Sequence, residues 1–100
     1  MGWATHYIVA LQRGETVQFR PRGSSMVGLV ESGQLVTVAP LGTRLPEKHD
    51  IVLCKVNGKQ YLHLVKAVNT GRYQIGNNRG GINGWISLSQ VFGRCIKVEP

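Results

Sequence analysis

An Asn57-Gly58 pair between two apolar, strand-like segments constrains the fold of this chain more than any other feature. The first segment covers residues 50–56 and the second covers residues 59–68. Asn-Gly is typical of a two-residue hairpin turn, because both residues accept the positive φ angles that such a turn requires. A two-residue turn also fixes the register, which places Val56 opposite Lys59, Cys54 opposite Tyr61 and Val52 opposite His63.

The second strand of this hairpin carries two candidate bases. Alternation along a strand places Tyr61, His63, Val65 and Ala67 on one face, and Leu62, Leu64, Lys66 and Val68 on the other. His63 and Lys66 are thereby predicted to point to opposite sides of the sheet. Only one of them can then face a given serine.

The rest of the chain adds further short strands and one helix. Apolar residues at positions 4, 7, 8 and 11 have helical spacing and predict a short amphipathic helix that ends at Arg13 and Gly14. Strand patterns cover residues 16–19, 34–39, 72–75 and 92–98, with helical turns at 27–30 and 87–91 and a Gly/Asn loop at 76–84. We therefore expect a mainly β fold in one domain of residues 1–100, with an N-terminal helix in residues 1–14 and a β core in residues 16–98.

The composition is that of a compact domain without a membrane segment. A hydrophobic fraction of 42% and 13 glycines in 100 residues suit one strand-rich globule. No apolar run approaches the roughly 20 residues of a membrane span, and the first residues lack a signal-peptide pattern, so we expect a cytoplasmic protein. Cys54 and Cys95 lack CxxC spacing, and with three scattered histidines they form no recognisable metal site. Buried free thiols, no metal and no cofactor are expected.

The net charge of +7 leaves a nucleic-acid surface open as an alternative function. The basic residues are spread along the chain, however, and the aromatic residues do not follow the pattern of an RNA-binding sheet. Nucleic acid is therefore not the partner that the sequence favours.

Two adjacent serines, Ser24 and Ser25, lie on a glycine-flanked turn between two strand patterns. A serine on such a turn can expose its hydroxyl and leave backbone N–H groups free to hold an oxyanion, although an ordinary Ser/Gly loop has the same composition. Nucleophilic catalysis also needs a base within hydrogen-bond reach and a third group that orients this base. A mid-strand histidine, His63, and the Gly/Asn loop that follows it are candidates for these two parts.

Five short motifs lie between about Phe19 and Val98. They are Gly23-Ser24-Ser25-Met26 with Ser32-Gly33-Gln34, His49-Asp50-Ile51-Val52, Tyr61-Leu62-His63-Leu64-Val65, Gly76-Asn77-Asn78 and Phe92-Gly93-Arg94. In this order and spacing they resemble the "GxSM…GD" box, the "GDIV" strand start, the strand of the general base, the "GDN" box and the closing "GR" strand of the signal-peptidase/LexA-type serine peptidases, and most of all those of their small, soluble, phage-type members. The general base of this family is Lys in bacterial signal peptidases and LexA-type repressors, and His in the eukaryotic and archaeal enzymes.

The resemblance implies coiled, barrel-like sheets of the LexA/signal-peptidase type, with the serine turn at the edge of a groove. It implies that Ser25 is the nucleophile and His63 the general base, with Asn83 at the position of the triad Asp. Substrates of this family bind as an extended strand along the groove edge.

Four further residues receive roles from the same resemblance. The Ser24 hydroxyl, together with the Ser25 N–H, is an oxyanion donor, and Met26 walls a pocket for a small side chain. Asn77 and Asn78 belong to a loop at the site, where Asn77 replaces the family's Asp.

Two functional hypotheses follow. The leading one is a soluble serine endopeptidase that forms an acyl-enzyme on Ser25 with His63 as base, and whose activity is weak because Asn77 and Asn83 replace acidic residues. The rival is an inactive member that serves as a peptide- or nucleic-acid-binding regulatory module. The residues before Ser25 contain no helix-turn-helix and no membrane anchor, so neither self-cleaving repression nor membrane processing is expected.

Overall fold

The computed structural model describes residues 2–100, so Met1 of the predicted N-terminal segment lies outside the described residues. These residues form one short helix and seven strands, which confirms the expected mainly β fold. The elements are α1 (Thr5–Gln12), β1 (Val17–Phe19), β2 (Leu35–Ala39), β3 (Ile51–Val56), β4 (Lys59–Asn69), β5 (Arg72–Gly76), β6 (Ile82–Ser87), a 3₁₀ turn (Leu88–Gln90) and β7 (Val91–Glu99).

The strands form one antiparallel sheet in the order β1-β2-β7-β3-β4-β5-β6, with the predicted hairpin in its middle. Asn57 and Gly58 both have positive φ, at 50° and 79°, as the two-residue turn requires. The predicted register is confirmed, since Val52 is opposite His63 and Cys54 is opposite Tyr61.

Both faces of this hairpin are buried, and each face packs in an apolar cluster of its own. Leu53, Leu62 and Leu64 belong to one apolar cluster, and Val52, Cys54 and Val65 belong to another. α1, β1, β2 and the segment between β1 and β2 supply most of the rest of the first cluster, whereas β5 and β6 supply much of the second. β6 therefore curls back over β3, where a Cβ on Gly84 would lie 3.4 Å from Val56.

Bulges curve the sheet, and the bulge in β4 makes the predicted faces of two residues wrong. Lys66 is an extra residue between the pairs Val65–Ile75 and Ala67–Gln74, so the alternation of β4 changes there. The next pair, Val68–Tyr73, returns Val68 to the face of Val65, because paired residues share a face and Tyr73 and Ile75 are two residues apart. The predicted faces of Ala67 and Val68 are therefore wrong.

The helix and the Gly/Asn loop differ from expectation only in detail. α1 ends at Gln12, before Gly14 with its positive φ of 85°, as predicted. Its start lacks a side-chain cap, and instead the Ala4 N–H donates to the Gln60 side chain of β4. The predicted loop of residues 76–84 is too long, because β6 already begins at Ile82. Among residues 2–100, no helix has both the length and the apolarity to cross a membrane.

Candidate active site

Ser25 lies on a turn, residues 23–30, that leads from β1 towards β2. The turn is closed by a bond from the Val30 N–H to the Met26 carbonyl at 2.8 Å, and a bond from the Gly33 N–H to the Pro21 carbonyl, also 2.8 Å, joins its two ends. Met26 and Val30 are buried in the first apolar cluster. The turn is thus anchored by two apolar side chains while Ser25 stays partly exposed beside them.

His63 connects this serine to Asn83. Its Nε2 lies 3.2 Å from Ser25 Oγ, and its Nδ1 lies 2.7 Å from Asn83 Oδ1. With the Asn83 oxygen as acceptor, Nδ1 carries the ring proton and Nε2 keeps its lone pair towards the serine hydroxyl. The three residues form a chain with the connectivity of a nucleophile, a base and an orienting group.

Burial sets the charge of this histidine. His63 is 7% exposed, and burial lowers the pKa of its imidazole, while the hydrogen bond that Nδ1–H donates to Asn83 raises that pKa to a smaller degree. The pKa therefore lies below the ordinary value of 6.5, and the ring is neutral at pH 7. A neutral imidazole is the form that can accept a proton from Ser25.

Tyr61 supports the ring from the preceding position on the same face of β4. The two ring centroids are 4.8 Å apart and the planes are inclined by 28°, which is a stacked arrangement. The two rings are neighbours because β4 is regular here and residues two apart share a face. The alternation of β4 predicts this shared face, but it does not predict that Tyr61 stacks on the ring of His63.

A bulge explains how Asn83 reaches a histidine two strands away. Ile75 pairs with Gly84 and Gly76 pairs with Ile82, so Asn83 is the unpaired extra residue of β6. A bulge turns its side chain away from strict alternation, and Gly84, with a φ of 144°, accepts the distorted backbone that follows. The predicted neighbour of His63 is thus placed there by a feature that strand alternation does not predict.

The loop of residues 76–81 holds the serine turn in place, mainly through Asn78. The Asn78 N–H donates to the Ser25 carbonyl at 2.9 Å, and its Nδ2 donates to the Val27 carbonyl at 2.7 Å. Asn77 stays within the loop, where its Oδ1 accepts bonds from the N–H groups of Arg79 and Gly81 at 2.8 Å each. The two asparagines therefore shape and dock this loop.

Arg79 contacts Ser24, and the sequence interpretation missed this contact. Its Nη1 donates to Ser24 Oγ at 3.0 Å, so a cation lies next to the proposed oxyanion donor. Ser24 itself is exposed and is not among the residues that line the adjacent groove, in contrast to Ser25 and Met26. An arginine in the Gly/Asn loop was the available signal, but nothing in the sequence alone relates it to Ser24.

Lys66 is engaged away from the serine. Its Nζ donates to the Asn77 carbonyl at 3.1 Å, which fastens the loop to the bulge of β4. Gly76 permits this packing, since a Cβ there would meet the Gly81 carbonyl and lie 3.0 Å from Lys66 Cγ. The structure thus pairs His63, not Lys66, with Ser25.

An apolar groove of about 640 Å³ opens beside Ser25 and His63. Its walls come from α1, β1, the serine turn and the first part of β4, with Trp3, Tyr7 and Phe19 forming an aromatic cluster. The register pairs β5 with β4 from Leu64 onward, so residues 60–63 of β4 have a strand neighbour in β3 and border the groove on their other side. This is an edge along which an extended chain can lie.

Neither cysteine belongs to the site. Both are free thiols; Cys54 is buried, and burial raises its pKa to about 12, whereas Cys95 is only partly buried, which corrects the expectation for that residue. Within residues 2–100, no cluster of three or more His, Cys, Asp or Glu side chains could hold a metal ion.

Comparisons with known proteins assign no family to this chain. No protein-family model matches the sequence, and no curated protein matches it either.

Proposed function

We propose that this protein is a serine endopeptidase that cleaves an extended peptide through an acyl-enzyme on Ser25. The observation that carries the proposal is the hydrogen-bonded chain from Ser25 Oγ through the His63 ring to Asn83 Oδ1, at 3.2 and 2.7 Å. The open edge of β4 beside this chain of residues suits a peptide better than a compact small substrate. We further propose that the sheet is of the LexA/signal-peptidase type, on the strength of the motif resemblance.

The first step uses the neutral form of His63. Nε2 takes the proton of Ser25 as Oγ forms its bond to the substrate carbonyl carbon, and the carbonyl oxygen becomes an oxyanion. The Ser25 N–H and the Ser24 hydroxyl are the donors for this oxyanion, and the Arg79 guanidinium, 3.0 Å from Ser24 Oγ, adds positive charge nearby.

The second half of the cycle returns the proton. His63 donates it to the leaving amine as the C–N bond breaks, which leaves the acyl group on Ser25. Water then loses a proton to His63 and attacks the ester carbon; as the C–O bond to Ser25 breaks, His63 donates that proton to Oγ, which releases the acid product and restores the serine and the neutral ring. Asn83 holds the tautomer of His63 throughout, but it has no charge to stabilise the imidazolium.

A serine-directed fluorophosphonate probe tests this proposal. We expect a single adduct, mapped by mass spectrometry to Ser25, with loss of labelling in Ser25→Ala and in His63→Gln. Ser32→Ala is a matched control, because Ser32 also lines the groove and its Oγ is 3.2 Å from the Gly23 N–H rather than from a base. Absence of labelling on the folded wild-type protein at pH 8 would refute the proposal.

The rival function is a binding module that keeps the groove and performs no chemistry. The neutral Asn83 favours this alternative, because the imidazolium has no counter-charge within the site. The same probe separates the two functions, since a binding module leaves Ser25 unlabelled.

A further inference from the structure

The groove beside Ser25 adjoins a second hollow with a different character. This hollow, also about 640 Å³, lies at the start of the β3–β4 hairpin, and Trp3, Gln60 and Tyr61 line both spaces. The Trp3 Nε1 donates to the Gln60 carbonyl at 3.1 Å, so the indole is fixed at the boundary between them. A chain that runs from the aromatic groove towards the hairpin turn passes Trp3, whose indole already binds the Gln60 carbonyl, before it reaches this hollow.

The second hollow is basic. Lys55 and Lys59 line it, and no acidic side chain does. Among the ion pairs within residues 2–100, neither lysine has a carboxylate partner. The five acidic residues of the chain are outnumbered by twelve basic ones, and three of those acids are already paired with Arg44 or Lys97. These two ammonium groups are therefore available to an acidic ligand.

The spacing of residues along β4 predicts where in the ligand an acidic residue should lie relative to the bond at Ser25. Lys59 is four residues before His63 on β4, which at about 3.3 Å per residue is roughly 13 Å. An extended peptide covers that distance with about four residues. The groove that borders His63 is lined by Trp3, Tyr7 and Phe19, and Trp3, which is 51% exposed, can contact a bulky apolar side chain there.

We propose that the groove and the hollow together form one cleft that selects an acidic peptide. A bulky apolar side chain of the peptide occupies the aromatic groove, and a carboxylate lies about four residues from the bond at Ser25. Lys55 and Lys59 are the residues that determine the acidic position. This inference rests on the proposed function, because it takes Ser25 as the point from which the ligand is counted.

The test is a binding measurement that does not require catalysis. The full chain carries Ser25→Ala, so that bound peptide persists, and Trp85→Phe, so that Trp3 is the only tryptophan and its fluorescence reports the cleft. Trp85 lines neither space. The probes are ten-residue, tryptophan-free peptides with a central leucine and either Asp-Asp or Asn-Asn four residues away, on the N-terminal or the C-terminal side.

We expect one of the two Asp-Asp peptides to bind about three- to tenfold more tightly than its Asn-Asn counterpart at low salt, as two solvent-exposed charge pairs allow. Lys55→Gln with Lys59→Gln should abolish this preference, and 0.5 M salt should reduce it. Lys48→Gln with Lys97→Gln is the matched control: it removes the same charge from residues outside the cleft and should preserve the preference.

Three results would overturn the inference: equal binding of the Asp-Asp and Asn-Asn peptides, an equal loss in the control double variant, or tighter binding of a ten-nucleotide single strand than of either peptide. The proposed function is separable from all three. A Ser25 that the probe labels, together with no acidic preference, refutes the inference alone. An unlabelled Ser25 with the acidic preference intact refutes the hydrolase and supports the acidic-peptide cleft.

Discussion

Replacing Asn83 by Asp tests the hydrogen-bonded series Ser25–His63–Asn83 at the residue that lacks the negative charge of a triad Asp. The Asn83 oxygen is 2.7 Å from His63 Nδ1, so Asn83→Asp places a negative charge in direct contact with the ring. An opposite charge at such a distance shifts a pKa by about 1–3 units, here upward, which corresponds to about 1.4–4 kcal/mol in favour of the imidazolium. Because the imidazolium forms as Ser25 attacks, we expect labelling of Ser25 to accelerate about 10- to 10³-fold. The loss of about 10⁴ when a triad Asp is changed to Asn elsewhere is an upper bound.

Two measurements on Asn83→Asp must agree. NMR titration gives the pKa of the His63 ring, assigned by the signal that disappears in His63→Gln, and probe kinetics gives the rate on the alkaline plateau, where the ring is neutral in both proteins. An unchanged His63 pKa would refute the contact between the two side chains. A raised pKa with Ser25 still unreactive would refute the enzyme and leave the binding module.

The same substitution changes how the contribution of His63 to stability depends on pH. In the wild-type protein burial lowers the pKa of His63 below 6.5, so the unfolded chain takes up the proton first. Its contribution is fully present above about pH 6.5 and is lost as the pH falls through the folded pKa. Asn83→Asp raises the folded pKa relative to that of the wild-type protein, so the variant gains stability relative to wild type as the pH falls through that pKa and loses this gain as the pH rises through it. The Tm of the variant relative to wild type should therefore increase from pH 8 to pH 5, and it should not do so when His63 is also replaced by Gln.

Three further predictions, which use five substitutions, follow from the site. Ser25→Ala should abolish probe labelling, whereas Ser24→Ala should slow it by at most about 10²–10³-fold as one oxyanion donor is lost; complete loss in Ser24→Ala with labelling retained in Ser25→Ala would mean that the nucleophile is misassigned. His63→Ala should be as damaging as loss of the serine, while Lys66→Ala should leave the pH profile of labelling unchanged, and the opposite result would identify the lysine as the base. Asn78→Ala removes the 2.7 Å bond to the serine turn and should lower the labelling rate at unchanged His63 pKa; an unaltered rate would show that the turn holds its shape alone.

The sequence predicted the hairpin because the residues that determine its turn and register are adjacent in the sequence. Asn57-Gly58 defines the turn, the turn defines the register, and the register places His63 on the same face as Tyr61. The short motifs likewise predicted Ser25, His63 and Asn83 as neighbours, and the structure brings the three side chains into one hydrogen-bonded chain. Their chemical roles remain predictions until the probe is applied.

Tertiary structure decided what depends on curvature and on unpaired residues. A bulge has no periodic pattern in the sequence. Strict alternation therefore predicts the wrong faces for Ala67 and Val68. For the same reason the predicted Gly/Asn loop includes Asn83, which belongs to the bulge of β6. The contact of Arg79 with Ser24 joins residues 55 positions apart, and it exists only because the sheet curls and carries the loop over the serine turn. Local pattern determines which residues form a strand and where it turns. The bulges curve the sheet so that both hairpin faces are buried, and this curvature brings the distant parts of the site together.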